Sequence, residues 1–341
     1  MSSNARVVVV TGAGGFIGSH LVEALVAEGS RVRALVHYNA EGSIGSLRHV
    51  DRRTLDAIEI VAGDVRDPYA MRSLVRGAQT VFHLAALIGI PYSYVAPASY
   101  VETNIGGTLN LLEATKAEGV ERLVVTSTSE TYGTAQYTPI DEVHPAVAQS
   151  PYAATKVGAD QLALSYHRSF ETPVCVVRPF NTFGPRQSER AIIPTIVAQA
   201  LRNAEPVRLG SLEPRRDLLY VTDTVRGFLV LAERPDAIGR AVNLGTGTSR
   251  SVQDLVDVVG RVLGRGLRVV EDAARVRPER SEVKELCADA GVARSFGWMP
   301  KVTFESGVRE VVDFMRRVPP DSGTTSQGYR VGGGSAFLNG P

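Results

Sequence analysis

The chain has 341 residues, enough for two modest domains or one large one with an insertion. Its 44% hydrophobic and 21% charged residues, with 37 Lys+Arg against 36 Asp+Glu, exclude a disordered chain and leave no strong basic excess for a nucleic acid polymer or an anionic membrane. Cys175 and Cys287 lack disulfide-framework or metal-ligand spacing, and no run of about 18 apolar residues occurs, so the expectation is a protein of the reducing cytoplasm with no membrane span and no metal site.

From residue 7 onward, short β-branched runs alternate with segments of helical period, the pattern of a doubly wound α/β fold with helices on both faces of a parallel sheet. Strands are predicted over 7–10, 32–36, 58–62, 81–84, 123–126 and 174–177, nearly all apolar, as strands buried on both faces must be. Helices are predicted over 17–27, 69–75, 100–117 and 152–169, where apolar residues recur at three- and four-residue spacing. After about residue 180, Pro179, Pro185, Pro194, Pro206 and Pro214 punctuate shorter elements and the alternation is lost. Residues 1–180 are therefore expected to form one domain and 181–317 a smaller α/β unit, partly interleaved with it through strand-like segments at 207–209 and 241–244. The end of the chain, 318–341, has Pro319-Pro320 and Gly332-Gly333-Gly334 and few large apolar side chains, and is expected to be a flexible tail.

The first predicted strand runs into Thr11-Gly12-Ala13-Gly14-Gly15-Phe16-Ile17-Gly18, and a helical pattern follows at once. A glycine-rich turn in that setting lets the backbone approach a pyrophosphate, whose charge sits on unpaired N–H groups at the helix start. Residues 1–180 are thus expected to be a dinucleotide-binding Rossmann domain. No acid stands at the end of the second strand, in Val36-His37-Tyr38-Asn39, to bond a ribose 2′-hydroxyl, so NAD and NADP both stay open at this point. His37 is a candidate cofactor contact, with a solvated loop histidine as the plainer reading. Asp64, in Gly63-Asp64-Val65 after the third strand, is a candidate adenine contact, or else a cap for the Asp67-Pro68 turn.

Tyr152 and Lys156 stand four residues apart at the start of a predicted helix and so project from one face. A lysine ammonium near the phenol favours the phenolate and brings the tyrosine toward service as a general base. Thr126-Ser127-Thr128-Ser129-Glu130 follows the fifth strand, where the loops of an α/β sheet form sites. Thr128 can hold a sugar hydroxyl or developing alkoxide, and Glu130 can take a proton from carbon; an N-cap or a solvated loop charge is the plainer reading of Ser129 and Glu130.

Together these residues resemble the extended short-chain dehydrogenase/reductase family, in its nucleotide-sugar epimerase/dehydratase branch, over roughly residues 6–315. Gly12–Gly18 is similar to that family's phosphate turn, and His83-Leu84-Ala85-Ala86 to its strand-four motif beside the cofactor. Asn104 matches its buried helix asparagine, Tyr152 and Lys156 its catalytic pair, Arg178-Pro179-Phe180-Asn181 its strand-six motif, and Arg216-Asp217 with Tyr220-Val221-Thr222-Asp223 its later signature. The stretches 37–39, 86–94 and 179–188 most resemble the sugar-nucleotide 4,6-dehydratases of the legionaminic-acid type.

The resemblance implies an NAD cofactor touching Gly12, Gly15, Phe16, Ile17, Gly18, His37, Asp64, Val65, Leu84, Ala85, Ala86, Thr126, Tyr152, Lys156 and Pro179. It also implies a nucleoside-diphosphate sugar held by Tyr92, Thr128, Asn181, Arg216 and Arg277, and a homodimer through the helices bearing Asn104 and Tyr152. Ion pairing with neighbours such as Asp217 and Glu279 is the plainer reading of the two arginines. Many dehydratases of the group carry Asp where this chain has Ser129, so UDP-glucuronate decarboxylation, 4-epimerisation and 5,6-dehydration stay open as fates of the shared 4-keto intermediate. A non-catalytic dinucleotide-binding sensor would have no need of Thr128, Tyr152 and Lys156 together.

Overall fold

The computed structural model describes residues 5–272 and 282–318. Six strands, β1 (Val7–Thr11), β2 (Arg31–His37), β3 (Glu59–Gly63), β4 (Thr80–His83), β5 (Arg122–Thr126) and β6 (Val174–Pro179), fall within a residue or two of the predicted positions. A second lobe contributes β7 (Asn181–Phe183), β8 (Val207–Leu209) and β9 (Arg215–Tyr220), after which β10 (Ala241–Leu244) returns to the first sheet. That sheet is parallel throughout, in the order β10-β6-β5-β4-β1-β2-β3. Its outermost strand thus comes from beyond residue 180 and pairs with β6 from Ala241 against Val176 to Leu244 against Pro179.

Alternate strand residues serve opposite faces, as the pleat requires. On one face Val8, Val10, Phe82, Val124 and Val177 pack under Leu21, Val22 and Leu25 of the helix Phe16–Ala27 and Val225, Phe228 and Leu231 of the helix Val221–Glu233. On the other, Val9, Val81, Leu123, Val125 and Val176 pack under helices Pro68–Val75, Gly107–Glu118 and Pro151–Phe170. The second lobe has its own core, in which Ile196, Val259, Val308 and Val312 from three helices close over Val207, Leu209 and Leu218. Its strands are completed by β11 (Ser249–Ser251), β12 (Val269–Glu271) and β13 (Glu285–Leu286), with β11 and β13 flanking β9 and β12 beside β8. The expected tail, apart from Val318, lies outside the described residues, as does Arg277.

The predicted helix over 100–117 is longer and interrupted: Pro97–Tyr100 leads into a π-helical segment, Val101–Gly106, and then into Gly107–Glu118. The wide turn carries Asn104 inward. There its side chain accepts from the Leu87 N–H (2.9 Å) and donates to the Leu87 carbonyl (3.0 Å) and the Thr155 hydroxyl (3.0 Å), fixing the loop after β4 to the helix Pro151–Phe170.

The helix Pro151–Phe170 begins with Ser150 as N-cap, whose Oγ accepts from the Ala153 N–H at 3.1 Å, and with Pro151 where a missing N–H costs nothing. Replacing Ser150 with Ala is expected to lower stability by about 1 kcal/mol, read from urea denaturation.

Candidate active site

The turn after β1 is shaped by contacts that admit no side chain. Gly12 has φ +70°, and a Cβ on it would sit 2.7 Å from the Ala85 nitrogen; a Cβ on Gly18 would overlap the Gly12 carbonyl oxygen. Gly15 caps the helix Phe16–Ala27 with no side chain bonded to its first-turn N–H groups. The start of the helix therefore presents donors and positive dipole to a bound anion, and these residues fit the pyrophosphate of a dinucleotide. Phe16 and Ile17 lean the other way, onto the second lobe's core.

One chain of buried hydrogen bonds positions the facing wall. The Thr108 hydroxyl donates to the Asn104 carbonyl (2.6 Å), so it accepts from His83 Nε2 (3.2 Å), and His83 Nδ1 accepts from the Thr11 hydroxyl (2.8 Å). Thr11 Oγ1 in turn accepts from the Ala85 N–H at 3.2 Å, which brings Leu84, Ala85 and Ala86 alongside Gly12. Val65 is buried, and its carbonyl accepts from Asn110. His37 is exposed at the end of β2. Asp64 is engaged by Arg66, at 2.6 Å from Nη2, and this hydrogen bond holds its carboxyl below the ordinary range. Asp64 also serves the turn leading to Asp67-Pro68, its Oδ1 accepting from the Arg66 N–H at 2.9 Å, while Asp67 caps the helix that follows by accepting from the Tyr69 and Ala70 N–H groups.

The residues expected to be catalytic lie after β5 and at the start of the helix Pro151–Phe170. Thr128 caps the short 3-10 turn Ser129–Tyr132, its Oγ1 accepting from the Glu130 N–H at 3.2 Å. Tyr152 is buried, with the Thr128 side chain beside its phenol. Burial raises the phenol's pKa, the Thr128 side chain opposes that rise, and the nearby Glu130 carboxylate adds to it. Direct tuning of Tyr152 by Lys156, expected from their spacing, is not what the structure places there: Lys156 Nζ donates to the Thr126 carbonyl at 2.6 Å. Burial lowers the Lys156 ammonium, and the carboxylate that opposes this is Asp160, one turn further along the helix. Ser129 is buried within the turn, and Pro179 is buried at the end of β6.

Among the expected substrate residues, Tyr92 is 46% exposed and its ring lies 6.1 Å from that of Tyr100, which in turn meets Tyr152 edge-on at 6.3 Å. Asn181, at the start of β7, carries a buried side-chain oxygen with no protein partner. Arg216 pairs with Glu282 at 2.9 Å, not with Asp217, which is buried and accepts from Thr246, Gly247 and Ala288. Residue reading missed Asp160, although it continues the four-residue spacing of Tyr152 and Lys156 onto the same helix face. It also missed the role of Arg186, at φ +70°, whose guanidinium grips Glu23 of the phosphate-turn helix at 2.6 and 2.9 Å and so docks the loop after β7 on that helix.

The sequence model of GDP-mannose 4,6 dehydratase matches residues 9–311. The chain belongs to this family. It is 31% identical over 315 residues to dTDP-glucose 4,6-dehydratase of Actinoplanes sp., covering 91% of this chain and 97% of that one. UDP-glucuronic acid decarboxylase 4 of Arabidopsis thaliana is also 31% identical, over 94% of this chain and 72% of its own length. The crystal structure of DesIV, a dTDP-glucose 4,6-dehydratase of Streptomyces venezuelae with NAD bound, superposes with a TM-score of 0.81 at 30% identity over 92% of this chain and 97% of that one. The nucleotide-sugar dehydratase and epimerase branch that the motifs resemble is therefore the right one, and the parallel α/β architecture agrees with it.

Burial pushes the His83 imidazole from its ordinary 6.5 down to about 3, with Lys156 adding to the shift. Once unfolded, the ring takes up a proton below about pH 6.5, whereas the folded ring stays neutral to about pH 3, so its contribution to stability is full above 6.5 and is lost as pH falls through that window. Urea denaturation between pH 7 and pH 4 is expected to show this slope, and His83→Gln is expected to flatten it.

Proposed function

We propose that this chain is an NAD-dependent nucleotide-sugar 4,6-dehydratase of the legionaminic-acid type, converting a nucleoside-diphosphate hexose, N-acetylhexosamines included, to its 4-keto-6-deoxy form. The observation that carries this reading is Glu130: a carboxylate on the same short turn as Thr128, close enough to raise the pKa of the buried Tyr152 phenol. When bound, NAD would accept hydride from C4 and return it to C6. The turn at Gly12–Gly18, the 84–86 loop, Thr126 and Lys156 would hold it.

Tyr152 would take the proton of the C4 hydroxyl while the Thr128 hydroxyl bonds the same oxygen, the positive nicotinamide ring of bound NAD favouring the phenolate that burial disfavours. The resulting 4-ketone acidifies the C5 hydrogen, which Glu130 removes. Hydroxide leaves C6 and departs as water, protonated by Glu130 or by relay through Ser129. The hydride returned to C6 is matched by a proton delivered to C5 from Glu130, and the proton that Tyr152 took from the C4 hydroxyl recharges Glu130 through solvent, so one water is lost per sugar, the cofactor is regenerated and both residues are reset. Asn181, donating through its side-chain amide N–H, and Arg216, shared with Glu282, are the groups we assign to the substrate diphosphate. Exposed Val101 and Leu109 on the Asn104-bearing helical run and Phe170 on the Tyr152 helix support a dimer through those two elements.

A second reading rests on Ser129, a neutral residue buried where an acid would most directly protonate the C6 oxygen. It favours another fate for the ketone, decarboxylation of a glucuronate or C4 inversion.

Proton NMR of the protein with NAD and a panel of UDP-, GDP- and dTDP-hexoses, N-acetylglucosamine and glucuronate forms included, is expected to show a new C6 methyl doublet. Carbon dioxide release or C4 inversion without that doublet would overturn the dehydratase reading in favour of the second. Glu130→Gln is expected to abolish exchange of the C5 hydrogen with deuterated solvent while leaving formation of reduced nicotinamide intact; loss of both would remove Glu130 from its assigned step.

A further inference from the structure

A second polar network lies beneath the Ser129–Tyr132 turn, and Asp160, whose carboxylate acts on Lys156, belongs to it. Asp160, 1% exposed, accepts through Oδ2 from the Ser127 hydroxyl (2.9 Å) and from Arg178 Nε (3.0 Å), with Arg178 Nη2 also at 3.0 Å. The third arm of the same guanidinium, Nη1, donates to the Tyr132 hydroxyl at 2.9 Å, and Arg178 lies over the Tyr132 ring at 5.0 Å. Tyr132 donates onward to Asn243 Oδ1 (2.7 Å) on β10, whose Nδ2 donates to the Ile140 carbonyl (3.0 Å).

Ser127 and Tyr132 bracket the four residues Thr128–Thr131. Both ends of the catalytic turn are thereby fastened to one buried ion pair, and the acidic member of that pair rides on the helix that carries Tyr152 and Lys156. Two N–H groups of one planar guanidinium converge on Asp160 Oδ2 while the third arm holds Tyr132, which fixes orientation as well as distance, as a lone hydrogen bond does not.

We propose that Asp160 and Arg178 are positioning residues that hold Thr128 and Glu130 in register with Tyr152. Breaking either fastening leaves the helix, the strand and the phosphate turn in place but lets the turn swing relative to the phenol. An ångström of such error is enough to slow the proton transfers without weakening the hold on substrate. This inference rests on the assignment of Thr128, Glu130 and Tyr152 to the reaction proposed above.

Ser127→Ala cuts one fastening and Tyr132→Phe the other, each by removing a single oxygen. Both are expected to lower kcat roughly 10- to 100-fold with KM nearly unchanged, and to speed amide hydrogen exchange in 128–133 while the Pro151–Phe170 helix exchanges as in the wild type. Leu74→Ala, a core truncation in the helix Pro68–Val75, controls for loss of stability alone and is expected to keep its kcat. Equal kcat in the two variants and this control, or unchanged exchange in 128–133, would overturn the positioning role. A wild-type protein that turns over no sugar nucleotide would instead overturn the proposed function, and the exchange result alone would then decide whether Asp160 and Arg178 hold the turn.

Discussion

Parallel strands all point their carboxyl ends the same way, and the chemistry of this chain depends on that one constraint. Gly12 follows β1, Leu84 follows β4, Thr128 follows β5 and Asn181 follows β6, so residues far apart in sequence meet along one edge of one sheet. The inner strands are committed on every other side: both faces lie under helices and both flanks against neighbouring strands. Only the carboxyl edge is left to hold polar side chains, and there they are numerous enough to need partners of their own.

Those partners form two separate systems. One runs from Thr11 through His83 and Thr108 to Asn104 and shapes the cofactor side. The other runs from Ser127 through Asp160, Arg178 and Tyr132 to Asn243 and lies under the reacting side. A buried ion pair contributes little net stability against the cost of desolvating it, whereas losing one partner is severe, so such a pair selects one arrangement more than it strengthens the fold. A few buried atoms at the same edge have no protein partner, Asn181 Oδ1 and Thr126 Oγ1 among them. An unpaired polar atom is costly inside a protein, and its presence beside a cleft is what a site prepared for a polar ligand would show.

Five of the first six strands, all but β3, were legible because strands buried on both faces must be apolar along their whole length, and β-branched runs such as Val7-Val8-Val9-Val10 leave no other reading; β3, largely exposed at the sheet edge, was read from the apolar run that ends at Ala62. Segment 241–244 was equally legible as a strand, but nothing in Ala241–Leu244 names β6 as its neighbour, since pattern encodes burial and not partnership. The π turn was hidden because helical periodicity carries through 100–117 with one residue more per turn for only a short stretch. In the site, the glycine turn, Thr128, Glu130, Tyr152 and Lys156 were readable from local spacing. What Lys156 bonds was not, because Thr126 lies thirty residues away across the sheet, and the pairing of Arg216 fell to Glu282 and not to the adjacent Asp217 for the same reason of tertiary reach.

The return of β10 to the first sheet bears on how the chain is made. A ribosome releases the chain from its amino end, and domains begin to fold as they emerge. When β6 has appeared, the sheet still lacks β10 and the helix Val221–Glu233 over one face, and the strand Val174–Pro179, buried along its whole length in the finished protein, is an open apolar edge. Sixty-odd further residues must be synthesised before Ala241–Leu244 can cover it. During that interval the nascent protein carries the kind of unpaired edge that finished proteins avoid, and the second lobe is begun while the first still waits for its last strand.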